Sequence, residues 1–404
     1  MHTISVKKEH TLPEPSDAEK AQSKRLCAEI RNLIHAAGGA IPFSDFMSAA
    51  LFSPNDGYYS SLKSKIGRAG DFVTAPELSP LFSECLAIQL AEVLAHVPSG
   101  HVLEFGAGTG RMAGDILHTL VTEKNFRGQY YILEPSGALR AEQVAYLSDR
   151  FPGLFSRFVW LNTLPAQFTG VILANEVLDA FPVERFAIKA GRLYRTWVEA
   201  DPLQPDGFIQ IDRPNDLPLL SSVFEAQAWP EAYRSECHPQ LSAWLQSLGE
   251  VLNEGVLFVL DYGFPKQTYY HTDRSSGTLM CHYKHYAHTD PFFYPGLQDI
   301  TAHIDFSALA DAANQTGWQG LGYTDQAHFL INLGLLTRLE RQLGGDKHLS
   351  DLTALKAIQG VQTLLSPSEM GELFKVIALG KNLSQEIPLS GFTTKNRYAQ
   401  LRED

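Results

Sequence analysis

The chain has 404 residues, of which 44% are hydrophobic, and this is enough to bury a large core in one elaborated domain or in two closely joined ones. It carries 33 basic and 45 acidic side chains, so its formal net charge of −12 disfavours non-specific binding to nucleic acid or to an anionic membrane. No apolar run approaches the roughly 18 residues of a membrane helix, and we expect a soluble, cytoplasmic protein with a cationic partner.

The N-terminal stretch, residues 1–22, mixes both charge signs with prolines and lacks the apolar region of a signal peptide and the acid-poor composition of a transit peptide. We expect it to be a flexible lead-in. Helical spacing follows over residues 21–37 and 43–51. Residues 55–77 are rich in glycine and polar groups, which predicts a loop, and a helix predicted over 80–94 leads into the first strand of a sheet.

The most informative segment is Val102 to Gly110, reading V-L-E-F-G-A-G-T-G, because a buried strand feeds a glycine turn and then a helix. The residues from Gly108 to Ala113 match the dinucleotide fingerprint G-x-G-x-x-G/A, which would place a pyrophosphate at the helix N-terminus. Glu104 argues against this interpretation, because its negative charge favours the cationic aminoacyl sulfonium of S-adenosylmethionine. A turn that merely permits close packing of helix and strand is the structural alternative.

Acidic residues also end the other predicted strands. Tyr130 to Leu133 is a strand followed by Glu134, which can accept hydrogen bonds from both hydroxyls of a ribose. The strand over 171–174 runs into Asn175, Glu176 and Asp179, and the strand over 256–260 runs into Asp261. Ligands of open parallel sheets bind at the carboxyl ends of the strands, so these side chains are predicted to face the site. Asn175 or Asp179 could instead cap a following helix.

The chain resembles the MidA family of class I methyltransferases over roughly residues 30 to 380. The segments that carry the resemblance are Gly57-Tyr58-Tyr59, Gly70 to Glu77, Glu104 to Gly110, Asn175 to Ala180, Asp261-Tyr262-Gly263, Gly277-Thr278-Leu279 and Asp299 to Phe306. The resemblance implies a class I methyltransferase fold that uses S-adenosylmethionine. The family's characterised mitochondrial branch is a protein arginine methyltransferase associated with assembly of respiratory complex I.

The expected fold is therefore α/β, with a Rossmann-like, mostly parallel sheet, an N-terminal helical and lid region and a substrate-binding insertion. The predicted organisation is a flexible segment (1–22), a helical and lid region (23–95), the first part of the core (96–182), a substrate-recognition insertion (183–253), the second part of the core (254–385) and a C-terminal tail (386–404). In the insertion we expect a strand over 193–198 and two helices over 230–252. The tail from 395 to 404 is expected to be solvent-exposed, with partner docking as the alternative.

By resemblance, the loop before the first strand would lie over the cofactor, although Thr74 or Ser79 could simply cap the next helix. The cofactor-contacting residues predicted in this way are Asp71, Thr74, Pro76, Glu77, Glu104, Gly106, Ala107, Gly108, Gly110, Glu134, Asn175 and Glu176. No metal site is expected, because the histidines between 269 and 295 have irregular spacing and the four cysteines form no C-x-x-C pair.

Methyl transfer is an in-line displacement, so the protein chiefly supplies alignment and electrostatics. Carboxylates can grip a planar, cationic guanidinium, and Glu176, Asp179 and Asp261 are the candidates for that grip. His285 or Asp299 would receive the proton. We therefore predict a methyltransferase that acts on an arginine-bearing protein segment.

Three alternatives remain. Methylation of a nucleic-acid base would call for Pro-Pro and an aromatic residue after the polar residue at the fourth strand tip, and the sequence from Asn175 to Leu178 lacks them. A cofactor-binding assembly factor without turnover would keep the glycine turn but would not need the acids. A dinucleotide-dependent oxidoreductase would bind a nicotinamide or flavin cofactor instead.

Overall fold

A computed structural model of the protein describes residues 12–60, 74–97, 99–225, 228–345 and 351–402. The chain forms two compact units, each built from three separate stretches. The first unit comprises Met1–Phe72, Asp179–Leu241 and Pro265–Asp305, and the second comprises Val73–Leu178, Ser242–Phe264 and Phe306–Asp404. Within the described ranges, no helix combines the length and apolar character needed to span a membrane.

The elements of both units are numbered along the chain. The strands are β1 (Ile41–Pro42), β2 (His101–Phe105), β3 (Tyr130–Leu133), β4 (Phe158–Leu161), β5 (Phe168–Asn175), β6 (Glu184–Lys189), β7 (Arg192–Ala200), β8 (Phe208–Pro214), β9 (Arg234–Cys237), β10 (Leu252–Phe264), β11 (Met280–Tyr283), β12 (Tyr286–His288), β13 (Asp299–Thr301), β14 (Ile304–Asp305), β15 (Gln319–Asp325) and β16 (Phe374–Lys381). The helices are α1 (Asp17–Ala36), α2 (Phe43–Phe52), α3 (Ala75–Leu78), α4 (Pro80–His96), α5 (Arg111–Lys124), α6 (Gly137–Arg150), α7 (Pro218–Glu225), α8 (Leu241–Val251), α9 (Lys266–Tyr269), α10 (Phe306–Gln315), α11 (Gln326–Asn332), α12 (Leu335–Gly345) and α13 (Asp351–Leu365).

The second unit is organised around a sheet with the strand order β4-β3-β2-β5-β10-β16-β15. The strands from β4 to β10 in this order are parallel, and β16 runs antiparallel to both of its neighbours. The nearly continuous apolar sequences of β5 and β10 suit central strands that are buried on both faces. From β2 the chain builds outward through β3 and β4, then returns to place β5 on the other side of β2. This reversal makes the carboxyl ends of β2 and β5 the expected position of a ligand crevice.

The first unit contains two antiparallel sheets. In one of them the strand order is β1-β7-β6-β9, with β8 also paired to β7, and in the other β11 lies between β12 and β13. Helices α1 and α2 supply buried side chains such as Leu26, Ile30 and Phe46 to a core that also contains Val198 of β7. The spacing of the first helix predicts an apolar face of Leu26, Ile30, Leu33 and Ile34. Three of these residues pack in the core, whereas Leu33 is 45% exposed.

The start of α1 corrects the predicted extent of the lead-in. The helix begins at Asp17, inside the stretch expected to be flexible up to residue 22. Ser16 Oγ accepts the Glu19 backbone N–H at 3.4 Å, and a Glu19 carboxylate oxygen accepts the Ser16 N–H at 2.7 Å. This reciprocal capping box satisfies two donors at the helix end, and its S-x-x-E signature is readable in the sequence.

One further prediction is wrong: the segment predicted as two helices contains the strand β9 before the single helix α8. The C-terminal tail is confirmed as largely exposed over residues 395–402, but Leu401 is buried and the Arg397 guanidinium lies 2.8 Å from an Asp325 carboxylate oxygen. The apolar segment beginning at Phe374 forms the strand β16.

Gly277 of the first unit lies beside a fully buried ion pair. The Glu236 carboxylate accepts hydrogen bonds from Arg185 Nε at 3.1 Å and from the Thr278 backbone N–H at 2.8 Å. Gly277 has φ +79°, and a Cβ at this position would overlap the Glu236 carboxylate. Both the backbone conformation and the space therefore require glycine in this part of the Gly277-Thr278-Leu279 segment.

We expect Gly277→Ala to lower the free energy of unfolding by about 3 kcal/mol or more, because it adds backbone strain and displaces one partner of a buried ion pair. Gly191→Ala is the matched control, since Gly191 has φ +66° and none of the described residues has an atom within 4 Å of the added Cβ. The control should lose about 1 kcal/mol, the cost of the left-handed backbone alone. Urea unfolding of both variants measures the difference, and equal losses would contradict a role for the Glu236 contact.

Candidate active site

The glycine turn follows β2 and leaves its backbone open on one side. Gly106, Gly108 and Gly110 have φ values of +57°, +52° and +85°, all in the left-handed region. The Gly106 N–H donates to the carbonyl of Leu133 at 3.1 Å, which ties the turn to the end of β3. A Cβ at Gly106 would find Val177 Cγ2 4.0 Å away as its nearest described neighbour. The turn is therefore held in place while a ligand could approach its backbone closely.

Glu104 lies one residue before the end of β2 and is 1% exposed. The Tyr130 hydroxyl donates to Glu104 Oε2 at 2.8 Å. The pKa of Glu104 is raised to about 8, mainly by burial; the Tyr130 hydrogen bond acts in the opposite direction, and the nearby Glu134 carboxylate acts in the same direction as burial. A cationic group placed next to a buried carboxylate with this pKa is stabilising, because it favours the ionised form of the carboxylate.

Glu134 follows β3 and is also buried. Its Oε1 accepts the Ser136 backbone N–H at 2.9 Å, and its Oε2 accepts Gln143 Nε2 at 3.1 Å. Burial raises the pKa of Glu134, and these two hydrogen bonds act in the opposite direction. Each carboxylate oxygen has two lone pairs, so the arrangement leaves acceptor capacity on both oxygens for a pair of hydroxyl groups.

Of the predicted lid residues, Glu77 contacts the glycine turn and the start of α5. Asp71 lies outside the described residues. Glu77 on α3 accepts the Thr109 hydroxyl at 2.6 Å, and its other oxygen lies 2.9 Å from Arg111 Nε. Pro76 is buried in the same short helix, and Thr74 precedes it without a side-chain capping bond. The capping alternative is confirmed for Ser79, whose Oγ accepts the Leu81 N–H at 3.3 Å. Direct cofactor contact by Thr74, Pro76 and Glu77 stays a prediction.

The tip of β5 carries a strained acidic residue. Glu176 has φ +52°, which is uncommon for a residue with a side chain, and its N–H donates to the Leu260 carbonyl at 2.9 Å. Asn175 Nδ2 donates to Glu176 Oε1 at 3.4 Å. A non-glycine residue held in this conformation costs about 1–3 kcal/mol, and such residues cluster at active sites and ligand clamps.

Asp261, on the neighbouring strand β10, is fully buried. Its Oδ2 accepts the Leu178 backbone N–H at 3.0 Å, so it holds the loop that follows Glu176. This contact gives Asp261 a positioning role. Direct binding of a substrate by Asp261 remains a prediction.

The first unit groups Asp179, Asp299 and Tyr59. The Tyr59 hydroxyl donates to Asp299 Oδ1 at 3.0 Å and to Oδ2 at 3.1 Å, across 240 residues of sequence. Burial raises the pKa of Tyr59 well above its usual value, and the negative charges of Asp299 and Asp179 act in the same direction. The helix-cap alternative for Asp179 is wrong, because the next regular element is the strand β6. Two buried carboxylates therefore lie close to one phenol.

His285 lies in a different setting from the other candidates. It is exposed in the two-residue turn between β11 and β12, where Lys284 and His285 have φ values of +47° and +67°. Positive φ at both central residues is the type I′ geometry of tight hairpins. Within the described ranges, no hydrogen bond or ion pair connects this imidazole to another candidate residue, and its role as proton acceptor stays a prediction. Among the described residues, no group of three or more His, Cys, Asp or Glu side chains is placed to hold a metal ion.

Comparison with known proteins bears on the cofactor directly. Residues 85–324 match a family model described as "Putative S-adenosyl-L-methionine-dependent methyltransferase". The crystal structure of a COG1565 superfamily member from Burkholderia thailandensis bound to S-adenosyl-homocysteine is 42% identical, with a TM-score of 0.90 over 96% of this chain and 100% of that chain. Among curated proteins, the mitochondrial protein arginine methyltransferase NDUFAF7 is 28% identical in both Rattus norvegicus, over 90% of this chain and 87% of that protein, and Homo sapiens, over 84% and 80%.

The fold is thus a class I methyltransferase fold, and the cofactor is S-adenosylmethionine. The chain belongs to the MidA family of S-adenosylmethionine-dependent methyltransferases. The described residues fit this cofactor: they leave the side of Gly106 open, Glu134 keeps acceptor capacity for ribose hydroxyls, and the buried Glu104 suits a cationic group. When bound, S-adenosylmethionine supplies a methyl group on a positively charged sulfur.

We expect the affinity for S-adenosylmethionine to rise with pH up to about 8, the pKa of Glu104. A cationic ligand binds the ionised carboxylate more tightly, so below that pKa binding must release a proton and the affinity falls as the pH is lowered. Calorimetric titration between about pH 6 and pH 9, in buffers of different ionisation enthalpy, measures both the affinity and the proton release. Glu104→Gln should flatten the profile, and a flat wild-type profile would contradict the prediction.

Sequence reasoning missed two residues in these sites. Gln143 on α6 is fully buried. The sequence indicates this burial through the position of Gln143, four residues before Leu147 on the apolar face of the helix. Tyr59 belongs to the Gly57-Tyr58-Tyr59 segment of the resemblance, but nothing in the sequence links it to Asp299.

Proposed function

We propose that this methyltransferase transfers the methyl group to a guanidinium nitrogen of arginine in a protein segment. The observation that carries the proposal is Glu176, an acidic residue held in a strained left-handed conformation at the tip of β5. Its neighbour Val177 lies beside the open side of the glycine turn. A carboxylate at this place, next to the cofactor turn, suits a substrate that is cationic and planar.

The charge of the chain and the second acidic group support the same substrate class. The formal net charge is −12, which favours the approach of a cationic segment. In the first unit, Asp179 and Asp299 are 6% and 3% exposed, and Tyr59 donates to both oxygens of Asp299. A buried carboxylate held by a phenol hydroxyl suits the binding of a cationic group, and the role of Asp299 as proton acceptor stays a prediction.

The names of the curated relatives add to this support. NDUFAF7 is named a protein arginine methyltransferase in rat and in human, and it matches most of this chain at 28% identity. The sequence after the tip of β5 also lacks the prolines and the aromatic residue that base methylation would call for.

In this proposal, some residues of the chain bind the cofactor and others bind and align the substrate. Glu104, the turn from Gly106 to Gly110, and Glu134 hold the cofactor. Glu176 binds the guanidinium and directs one nitrogen towards the methyl group, while Asp261 fixes the loop behind it through the Leu178 N–H. The transfer forms the N–CH₃ bond, breaks the S–CH₃ bond to release S-adenosylhomocysteine, and frees one guanidinium proton, for which His285 or Asp299 stays the predicted acceptor. The protein chiefly supplies the alignment of nitrogen, methyl group and sulfur.

The test is incorporation of labelled methyl groups from S-adenosylmethionine into cell proteins, followed by complete hydrolysis and mass spectrometry of the amino acids. We expect labelled methylarginine with the wild type and none with Gly106→Val. Label in methyl-lysine or in a base-labile ester would refute the arginine assignment. Cofactor binding without any protein label would favour the assembly-factor function.

The cytoplasmic location also stays a prediction, which cell fractionation would test.

A further inference from the structure

Gln143 connects three parts of the second unit through one side-chain amide. Its Nε2 donates to the Gly108 carbonyl at 3.0 Å and to Glu134 Oε2 at 3.1 Å. Its Oε1 accepts the Trp160 indole N–H at 3.0 Å. The residue is fully buried, and its bond to Glu134 is made away from water.

Trp160 on β4 sets the direction of this amide. An indole nitrogen can only donate a hydrogen bond, whereas the Gly108 carbonyl and an ionised Glu134 can only accept one. The amide oxygen must therefore face Trp160, and the NH₂ group must face the other two residues. The opposite orientation would place two donors against each other and leave two buried acceptors without partners, which is costly in a buried site.

We propose that Gln143 is a positioning residue for the cofactor, which holds the ribose-binding carboxylate of Glu134 and the glycine turn at Gly108 in a fixed relation, and that Trp160 sets its orientation. Gln143 occupies one lone pair of Glu134 Oε2, and the Ser136 N–H occupies one of Oε1. The carboxylate is thus fixed in rotation, with its remaining acceptor capacity in defined directions. This role concerns the cofactor and does not depend on the methyl acceptor.

The proposal is tested by calorimetric binding of S-adenosylhomocysteine and of its 2′-deoxy and 3′-deoxy analogues to the purified full chain. We expect Gln143→Leu to bind S-adenosylhomocysteine about tenfold more weakly, the effect of one or two lost hydrogen bonds. The deoxy analogues should lose less than about threefold between wild type and variant, because the hydroxyl that needs the fixed carboxylate is already absent. Gln246→Leu, a change of the same type on the exposed face of α8, is the control and should bind like the wild type.

Trp160→Phe keeps an aromatic ring and removes only the N–H, so it tests the same role if Gln143→Leu fails to fold. It should produce the same dependence on the ribose hydroxyls with a smaller loss, about threefold for S-adenosylhomocysteine. Unchanged affinity in both variants would overturn the proposal. An equal loss for S-adenosylhomocysteine and for the deoxy analogues would also overturn it, because a merely structural role of Gln143 would weaken all ligands alike.

Discussion

Glu176→Gln should reduce the rate of methyl transfer by about 100-fold or more while leaving the affinity for S-adenosylhomocysteine within a few-fold of the wild type. The substitution preserves size and removes the charge that binds a guanidinium, and each charged hydrogen bond contributes about 1.5–3 kcal/mol. The rate is measured in single turnover with the substrate found in the labelling experiment, and the affinity by calorimetry. Glu250→Gln, on an exposed turn of α8, is the matched control and should retain full activity.

The outcome also distinguishes two roles of Glu176, binding of the substrate and binding of the cofactor. A normal rate in Glu176→Gln would contradict the proposed grip on the substrate. If cofactor binding were lost together with the rate, Glu176 would be a cofactor ligand and the substrate assignment would lose its main support. Asparagine tolerates the left-handed conformation better than most residues, so Glu176→Asn should lose activity without losing stability.

The second large effect is expected at the glycine turn, where Gly106→Val should weaken S-adenosylhomocysteine binding by about 100-fold or more. A β-branched side chain is strongly disfavoured at φ +57°, and its atoms would extend into the open space beside the turn. Glu104 and Glu134 would remain, but the ligand could no longer approach the backbone of the turn. Calorimetric titration measures the loss.

Gly334→Val is the matched control for this variant. Gly334 belongs to the same unit, has φ +83°, and no atom of the described part of the chain lies within 4 Å of an added Cβ. It therefore carries the same type of backbone strain away from the glycine turn. Gly334→Val should lose stability but retain cofactor binding, and comparable loss of binding in both variants would show that global destabilisation explains the effect.

The sequence predicted the central part of the fold because buried parallel strands are long apolar runs that end in polar residues. The structure confirms strands at Val102 to Phe105 and at Tyr130 to Leu133, and it confirms the helix after the glycine turn. The acids at the strand tips followed from the same pattern, since the carboxyl ends of parallel strands lie at one edge. These signals are local in sequence, and local patterns can be read without coordinates.

The predictions failed where the decisive contact is distant in sequence or where local signals conflict. The strand β9, with sequence Arg-Ser-Glu-Cys, is short and rich in charge, and it is defined by its pairing with β6 rather than by its own composition. The hydrogen bonds of Gln143 to Gly108 and Trp160 depend on how α6 packs against the sheet. The Tyr59–Asp299 contact joins residues 240 positions apart. No periodicity in the chain encodes these distances.

The division of the second unit into three stretches has a consequence for how the chain folds. The stretch Val73–Leu178 contains β2 to β5, the glycine turn, Glu104, Glu134, Gln143 and Glu176, so the cofactor half of the sheet is continuous in sequence. Strand β10 arrives only after the intervening stretch of the first unit, and β16 follows about a hundred residues later. Contacts of such long sequence separation slow folding, because the loop between them must close first. During synthesis, β5 therefore emerges well before its partner β10 and presents an unpaired apolar edge, which makes the incomplete chain a substrate for chaperones.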